Sequence, residues 1–181
     1  MHDGDLAALL DERSINKVLH AYCQGVDRRD WTQVRACYHD DAVDNHGAYV
    51  GGPDGLVDWL TRRHEHVLSS SHLLTNVSIR FNADRTLARS ESYYLSLQVV
   101  DAPDGDPFAG HQGCPVFVRV LGRYVDTHER RESAGWRIKV RTCINDLMTR
   151  GATDDFVPFA PTWPTPRRDR TDMLYDPWPE A

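Results

Sequence analysis

The order of the patterned segments predicts an α+β fold. Apolar residues recur every three or four positions, which is the helical period, through the first third of the chain. Long segments with the alternating or continuously apolar pattern of β-strands follow them. Helices that precede a run of antiparallel strands pack on one face of the sheet that those strands form. With 181 residues, of which 40% are hydrophobic, the chain can build one domain with its own core.

Three helices and five strands are predicted. The helices cover residues 5–25, 30–38 and 54–69, with Gly25 as the end of the first and Asp30 as the cap of the second. The strands cover residues 42–46, 71–82, 86–101, 114–131 and 136–148. A Gly- and Pro-rich loop is predicted over residues 102–113. The last four strands are long and follow one another along the chain, which predicts an antiparallel meander.

A C-terminal tail over residues 151–181 is set apart from the domain predicted over residues 1–150. The tail carries most of the prolines of the chain, and proline disfavours regular helix and strand interiors. It also holds several large aromatic residues, which are Phe156, Phe159, Trp163, Tyr175 and Trp178. We therefore expect the tail to pack on the domain or on a neighbouring subunit.

The charge of the chain argues against nucleic acid and membrane partners. The formal net charge is −6 and the isoelectric point is about 5.8, whereas binding to nucleic acid or anionic lipid needs a basic stripe. No apolar run reaches the length of a membrane span, and the acidic start lacks the features of a signal peptide. We therefore expect a cytoplasmic protein whose widely spaced cysteines are reduced.

Asp27 and His72 are the candidate catalytic residues. Asp30 is better placed than Asp27 to cap the second helix, so Asp27 has no evident structural role. His72 begins a predicted strand. A histidine paired with a carboxylate is held in one tautomer, becomes more basic and can take a proton from carbon or oxygen. The ordinary alternatives stay open: a surface or capping carboxylate for Asp27 and a core or rim histidine for His72.

No motif indicates a metal ion, a cofactor or a strong nucleophile. His64 and His66 lie two positions apart on a predicted helix and so face different directions. The H-E-x-x-H zinc motif, glycine-rich phosphate loops and the G-x-S-x-G nucleophile elbow are all absent from the sequence. We therefore expect no metal ligands and no cofactor.

Six segments, taken together and in order, resemble the SnoaL-like branch of the NTF2-like superfamily. They are YCQGVDRRDW (22–31), CYHDDA (37–42), DNHGAYVG (44–51), SHLLTN (71–76), GRYVD (122–126) and GWRI (135–138). Each segment is short, but their order and spacing are specific over about residues 8–148. The resemblance implies a cone fold: a curved, mixed but largely antiparallel sheet wraps around three N-terminal helices and encloses an apolar pocket.

The resemblance also implies a catalytic site. Members such as scytalone dehydratase, bile acid 7α-dehydratase and hexachlorocyclohexane dehydrochlorinase use an Asp–His pair, and Asp27 and His72 occupy those places here. Tyr22 matches a tyrosine that the dehydratases place shortly before the aspartate. The expected substrate-binding residues are His46, Tyr49, Arg123 and Tyr93.

These features predict a cofactor-independent lyase that dehydrates a hydrophobic cyclic, polyketide- or steroid-like small molecule. An isomerase or cyclase would use the same Asp–His base, and a non-catalytic small subunit of a ring-hydroxylating oxygenase would share the fold without needing the pair. A homo-oligomer is expected because the segment over residues 114–125 is apolar on both faces. The family resemblance favours a trimer over a dimer.

Overall fold

The chain forms three helices and one six-stranded sheet, with the first two strands lying between α2 and α3 in the sequence, and this architecture confirms the predicted α+β cone. The computed structural model describes residues 3–103 and 114–177, so most of the predicted loop over 102–113 lies outside the described residues. The helices are α1 (Asp3–Arg28), α2 (Trp31–Ala36) and α3 (Pro53–His64). The strands are β1 (Tyr38–Asn45), β2 (Val50–Gly51), β3 (Val67–Phe81), β4 (Leu87–Val100), β5 (Val116–Arg131) and β6 (Gly135–Ala152). A short 3₁₀ helix, Met173–Tyr175, lies in the C-terminal tail.

The sheet is mixed and follows the order β2-β1-β6-β5-β4-β3. The strands β3 to β6 form an antiparallel meander, and β1 pairs in parallel with β6. The helices cover one face of the sheet, and the core lies between the two layers. The two-residue strand β2 was not predicted, because it is too short to show an alternating pattern. Within residues 3–103 and 114–177, no helix has the length and apolar character that crossing a membrane requires.

The helix α1 continues past Gly25, where the sequence predicted its end, to Arg28. Gly25 lies where α2 packs against α1, and a Cβ at this position would come within 2.8 Å of Val34 Cγ2. Gly25 therefore permits close helix packing, and the helix ends instead at Arg28, because the next residue, Arg29, has a left-handed φ of 54°. As a result Asp27 lies on the last turn of α1 and not in the loop after it.

The boundary between α3 and β3 also differs from the prediction. The helix ends at His64 and the strand begins at Val67, whereas the predicted helix extended to residue 69. Val67 pairs with Val100 of β4 and both residues are fully buried, so strand pairing outweighs the helical pattern. His72 consequently lies well inside β3, where pairing with β4 fixes its backbone.

A β-bulge determines which residues of β3 face the helices. The register between β3 and β4 shifts around Asn76, whose φ is 49°. The extra residue reverses the alternation of side chains, so Leu74 before the bulge and Val77 after it both pack against the core. Because His72 is two residues before Leu74, its side chain faces the helices as well.

The C-terminal tail contacts the end of α1 through Arg168. Its guanidinium donates to the backbone carbonyls of Asp27 at 3.0 Å, Val26 at 3.3 Å and Val67, and to His64 Nδ1 at 2.7 Å. Burial and nearby arginine charges lower the pKa of Arg168 to about 10, so the group stays charged at neutral pH. Because a cation at the C-terminal carbonyls of a helix is stabilising, this contact holds the turn that carries Asp27.

Replacing Arg168 with Ala should lower the free energy of unfolding by about 1–3 kcal/mol, because carbonyls at the end of α1 lose a charged donor. Denaturant titration of the purified protein measures the change. Arg167→Ala is the matched control, since this neighbouring arginine is exposed. Equal stability of the two variants would contradict a role for Arg168 in holding α1.

Candidate functional site

Asp27 accepts three hydrogen bonds from β3. Its Oδ1 accepts from His72 Nδ1 at 2.7 Å and from the Ser70 hydroxyl at 2.7 Å, and its Oδ2 accepts from the His72 backbone N–H at 2.8 Å. Only 13% of the Asp27 side chain and 8% of the His72 side chain are exposed. The structure thus brings together the two residues that were selected from the sequence. It adds Ser70, whose place in a run of serines carries no functional signal.

The carboxylate is the ionised member of this pair. Burial raises the pKa of Asp27, but the hydrogen bonds from His72 and Ser70 outweigh burial and hold the pKa below its usual value of 3.8. An ionised carboxylate at Nδ1 assigns the imidazole proton to that nitrogen, so Nε2 of the neutral ring carries the lone pair. The pair therefore has the geometry of an oriented general base.

His72 lines a cavity of about 280 Å³ between the helices and the sheet. Aromatic and aliphatic side chains dominate its walls, as is typical of small-molecule sites. The lining residues that bear on the chemistry are Tyr22, His46, His64, His72, Tyr94 and Tyr124. A second cavity, of about 270 Å³, also reaches the pair, and besides Asp27 and His72 it is lined by His20, Cys23, Gln24, Arg28 and Leu74. The pair thus borders one mostly apolar space and one space of mixed polarity.

A second Asp–His pair faces the apolar cavity. His46 Nδ1 is hydrogen-bonded to Asp44 Oδ1, and the Tyr38 hydroxyl donates to Asp44 Oδ2 at 2.7 Å. The other ring nitrogen of His46, Nε2, lies 3.0 Å from the Tyr22 hydroxyl. Asp44 is fully buried, and 12% of the His46 side chain is exposed. A chain of hydrogen bonds therefore runs from Tyr38 through Asp44 and His46 to Tyr22 at the cavity wall. Asp44 was not a candidate from the sequence.

A buried arginine supports Tyr22 from the sheet. Arg141 of β6 is fully buried and pairs with Asp126 of β5 at 2.6 Å. Its guanidinium carbon lies 4.3 Å from the ring centre of Tyr22 and 4.1 Å from that of Tyr124. This contact fixes both rings. Neither Arg141 nor Asp126 was predicted, because charged residues on strands usually face solvent.

Tyr93 and Arg123, two of the predicted substrate-binding residues, lie on the sheet face that is turned away from the cavity. They pair across β4 and β5, and Arg123 binds the carboxylates of Glu91 at 3.1 Å and Asp146 at 3.4 Å. Side chains alternate along a strand, and the neighbouring Tyr94 is the residue that lines the cavity. The prediction therefore chose two residues on strands that do border the cavity, β4 and β5, but on the face of the sheet that points away from it.

Tyr49, another predicted substrate-binding residue, is not among the residues that line the cavity. Its hydroxyl donates to the Gly52 carbonyl at 2.6 Å, and its ring stacks on Trp59. Trp59 does line the cavity, so Tyr49 supports the wall from behind. His46 and Tyr22, in contrast, are both part of the lining.

His64 lines the cavity but cannot act as a base near neutral pH. Burial and the charges of Arg168 and Arg63 lower its pKa to about 2, and its Nδ1 accepts a hydrogen bond from Arg168.

Across residues 3–103 and 114–177, no cluster of three or more His, Cys, Asp or Glu side chains is placed to hold a metal ion. The two Asp–His pairs and the tyrosine hydrogen-bonded to His46 are groups that can move protons at the cavity.

Several solved structures share this fold. A hexachlorocyclohexane dehydrochlorinase from Novosphingobium barchaimii is similar with a TM-score of 0.69 and 21% identity, covering 85% of this chain and 99% of that one. A provisionally assigned scytalone dehydratase from Novosphingobium aromaticivorans has a TM-score of 0.65 and 19% identity, covering 84% of this chain and 92% of that one. A provisionally assigned aromatic ring hydroxylase from the same species has a TM-score of 0.63 and 23% identity, covering 79% and 94% respectively. At these identities the likeness shows a common fold and no more.

The sequence itself identifies the family. No curated protein matches the chain. The SnoaL-like domain family, in contrast, matches residues 7–142, which include Asp27, His72 and the second pair at Asp44 and His46. Since this match extends over most of the chain, the protein belongs to the SnoaL-like domain family.

Proposed function

We propose that this protein is a cofactor-independent lyase that removes water from a hydrophobic small molecule. The observation that carries the proposal is the hydrogen-bonded Asp27–His72 pair at the wall of a mostly apolar cavity. His72 Nε2 takes a proton from the carbon next to a substrate carbonyl, and Asp27 holds the ring and balances the positive charge that forms on it. The bond to the hydroxyl on the neighbouring carbon then breaks, and a carbon–carbon double bond forms.

The surroundings of the pair support this chemistry. An apolar cavity excludes water, which strengthens the hydrogen bonds and charges that act on the substrate. Tyr22 supplies a hydroxyl for a substrate oxygen, since burial and the charge of Asp44 raise its pKa well above the usual value, despite Arg141, and keep it protonated. Two of the structures that share the fold are named for elimination reactions, which also favours a lyase.

The cavity also bears on the class of substrate. Its volume of about 280 Å³ lies near the lower end of the range for small-molecule sites. The aromatic rings of Tyr94, Tyr124 and Trp59 offer flat apolar surfaces. We therefore propose a cyclic substrate of the polyketide or steroid type, held by ring contacts and oriented by few polar groups.

Replacing His72 with Ala should lower kcat/KM for dehydration of a panel of cyclic β-hydroxy ketones by about 10²–10⁴-fold, which is the usual contribution of a general base. Mass spectrometry of the products separates loss of water from isomerisation or ring closure, neither of which alone changes the mass. His66→Ala is the matched control, since His66 is an exposed histidine. Full activity of His72→Ala would rule out this base.

A wild-type protein that is inactive alone and co-purifies with a large iron-containing chain would favour the oxygenase-subunit alternative.

Asp27 should stabilise the protein in a pH-dependent way. Its pKa is lower in the folded protein than the usual 3.8, so its contribution is fully present above that value and is lost as the pH falls through the folded-state pKa. The difference in unfolding free energy between wild type and Asp27→Asn should therefore shrink as the pH falls below about 4. Denaturant titrations at several pH values measure this difference. A difference that stays unchanged down to about pH 2 would contradict the lowered pKa.

A further inference from the structure

We propose that His46 is the acid that protonates the departing hydroxyl, acting through Tyr22, and that the site is therefore built for oxygen leaving groups. This inference rests on the proposed elimination and adds a second proton-transfer group to it. Hydroxide is a poor leaving group and must gain a proton as the carbon–oxygen bond breaks, whereas chloride leaves without one. A proton donor that acts on the leaving group therefore accelerates the first case and not the second.

The two histidines reach the cavity from different parts of the sheet. His72 belongs to the edge strand β3, and His46 follows β1, which lies next to the other edge. The rings of Tyr94 and Tyr124 form the wall between them. The ring centre of Tyr94 lies 6.5 Å from that of His72 and 4.5 Å from that of Tyr124. The ring centre of Tyr124 lies in turn 5.8 Å from that of Tyr22, the hydrogen-bond partner of His46. Because one cavity of about 280 Å³ is lined by both histidines, one substrate can meet the base and the acid together.

The hydrogen bonds of His46 determine which group can receive its proton. Its Nδ1–H donates to Asp44, which fixes the ring. When the ring is neutral, Nε2 accepts from the Tyr22 hydroxyl, whose hydrogen is then unavailable to a substrate. When the ring is protonated, Nε2–H donates to the Tyr22 oxygen instead, and the Tyr22 hydrogen becomes available to the cavity. Protonation of His46 thus converts Tyr22 into a donor to the substrate.

Tyr22 needs this partner in order to deliver a proton. Burial and Asp44 raise the pKa of Tyr22 well above its usual value, although Arg141 opposes them, so Tyr22 gives up a proton only as it receives another. Asp44 provides the countercharge for a protonated His46, and Tyr38 satisfies its other oxygen. The further titratable or charged groups around this end of the cavity are Arg63 and His64 of α3, His72 of β3, Tyr94 of β4, Tyr124 of β5, and Arg141 and Cys143 of β6.

The proton and electron balance of the step closes. His72 Nε2 takes the carbon-bound proton, and the electron pair of that bond becomes the new double bond. The electron pair of the carbon–oxygen bond leaves with the oxygen, which takes the Tyr22 proton while Tyr22 takes the Nε2 proton of His46. Water departs, His72 is left protonated and His46 neutral. Exchange with solvent then returns His72 to the neutral form and His46 to the protonated form.

Leaving-group dependence tests the proposal. A cyclic β-hydroxy ketone and the β-chloro ketone of the same skeleton are assayed with wild type, His46→Gln, His72→Ala and the control His66→Gln. His46→Gln should lose dehydration by about 10²–10⁴-fold and retain elimination of chloride within a few-fold. His72→Ala should lose both reactions, and His66→Gln neither. Retained chloride elimination also shows that His46→Gln is folded.

Several outcomes would overturn the proposal. They are equal loss of both reactions in a folded His46→Gln variant, no loss of dehydration in that variant, and a wild type that eliminates chloride but not water.

A wild type that eliminates neither group would instead show that the proposed function is wrong. In that case ¹⁵N NMR of the imidazole nitrogens still decides about His46. Uptake of a proton at its Nε2 as the pH is lowered, altered in Tyr22→Phe, supports the relay, and an Nε2 that stays unprotonated throughout overturns it.

Discussion

The carboxylate of Asp27 joins the helical layer to the edge of the sheet. It accepts hydrogen bonds from the hydroxyl of Ser70 and from both the side chain and the backbone of His72. A buried carboxylate without partners destabilises a fold by an amount on the order of several kcal/mol, so the end of α1 cannot slide along β3 without a large loss. The contact that fixes the position of the helix also holds the imidazole of His72 in one tautomer. Stability and the proposed chemistry therefore depend on the same three hydrogen bonds.

Arginines neutralise the corner of the fold behind this carboxylate. Arg29 donates to the carbonyl of Val67 at 2.8 Å, and Arg168 donates to the same carbonyl and to the last carbonyls of α1. The carbonyls of α1 among them carry the partial negative charge of a helix C-terminus, which favours cations. Arg170 and Tyr175 add contacts to Asp30, each at about 3 Å. Residues of the tail, which lies beyond the family match, thus support the turn on which the candidate base depends.

On the other side of the cavity, buried polar groups decide where Tyr22 and His46 point. Arg141 and Asp126 are fully buried, and such a pair contributes little net stability because both charges lose their hydration. Its position beneath Tyr22 indicates a different role, which is to hold the tyrosine ring at the distance that lets its hydroxyl meet His46. The site is thus a set of fixed side chains, which suits reactions that depend on proton transfer between oriented groups.

Periodicity in the sequence determined the order of the helices and long strands, because burying one face of an element places apolar residues at regular intervals. The choice of Asp27 and His72 rested instead on the family resemblance, since each residue by itself had an ordinary alternative. Periodicity could not show that α1 continues past Gly25, since that depends on a packing partner in α2. Nor could it select Asp44 and Arg141, because an isolated charged residue on a strand has the same local pattern whether it faces solvent or a buried partner. Only the tertiary structure decided those points, since burial and pairing arise from contacts between segments that are distant in the chain.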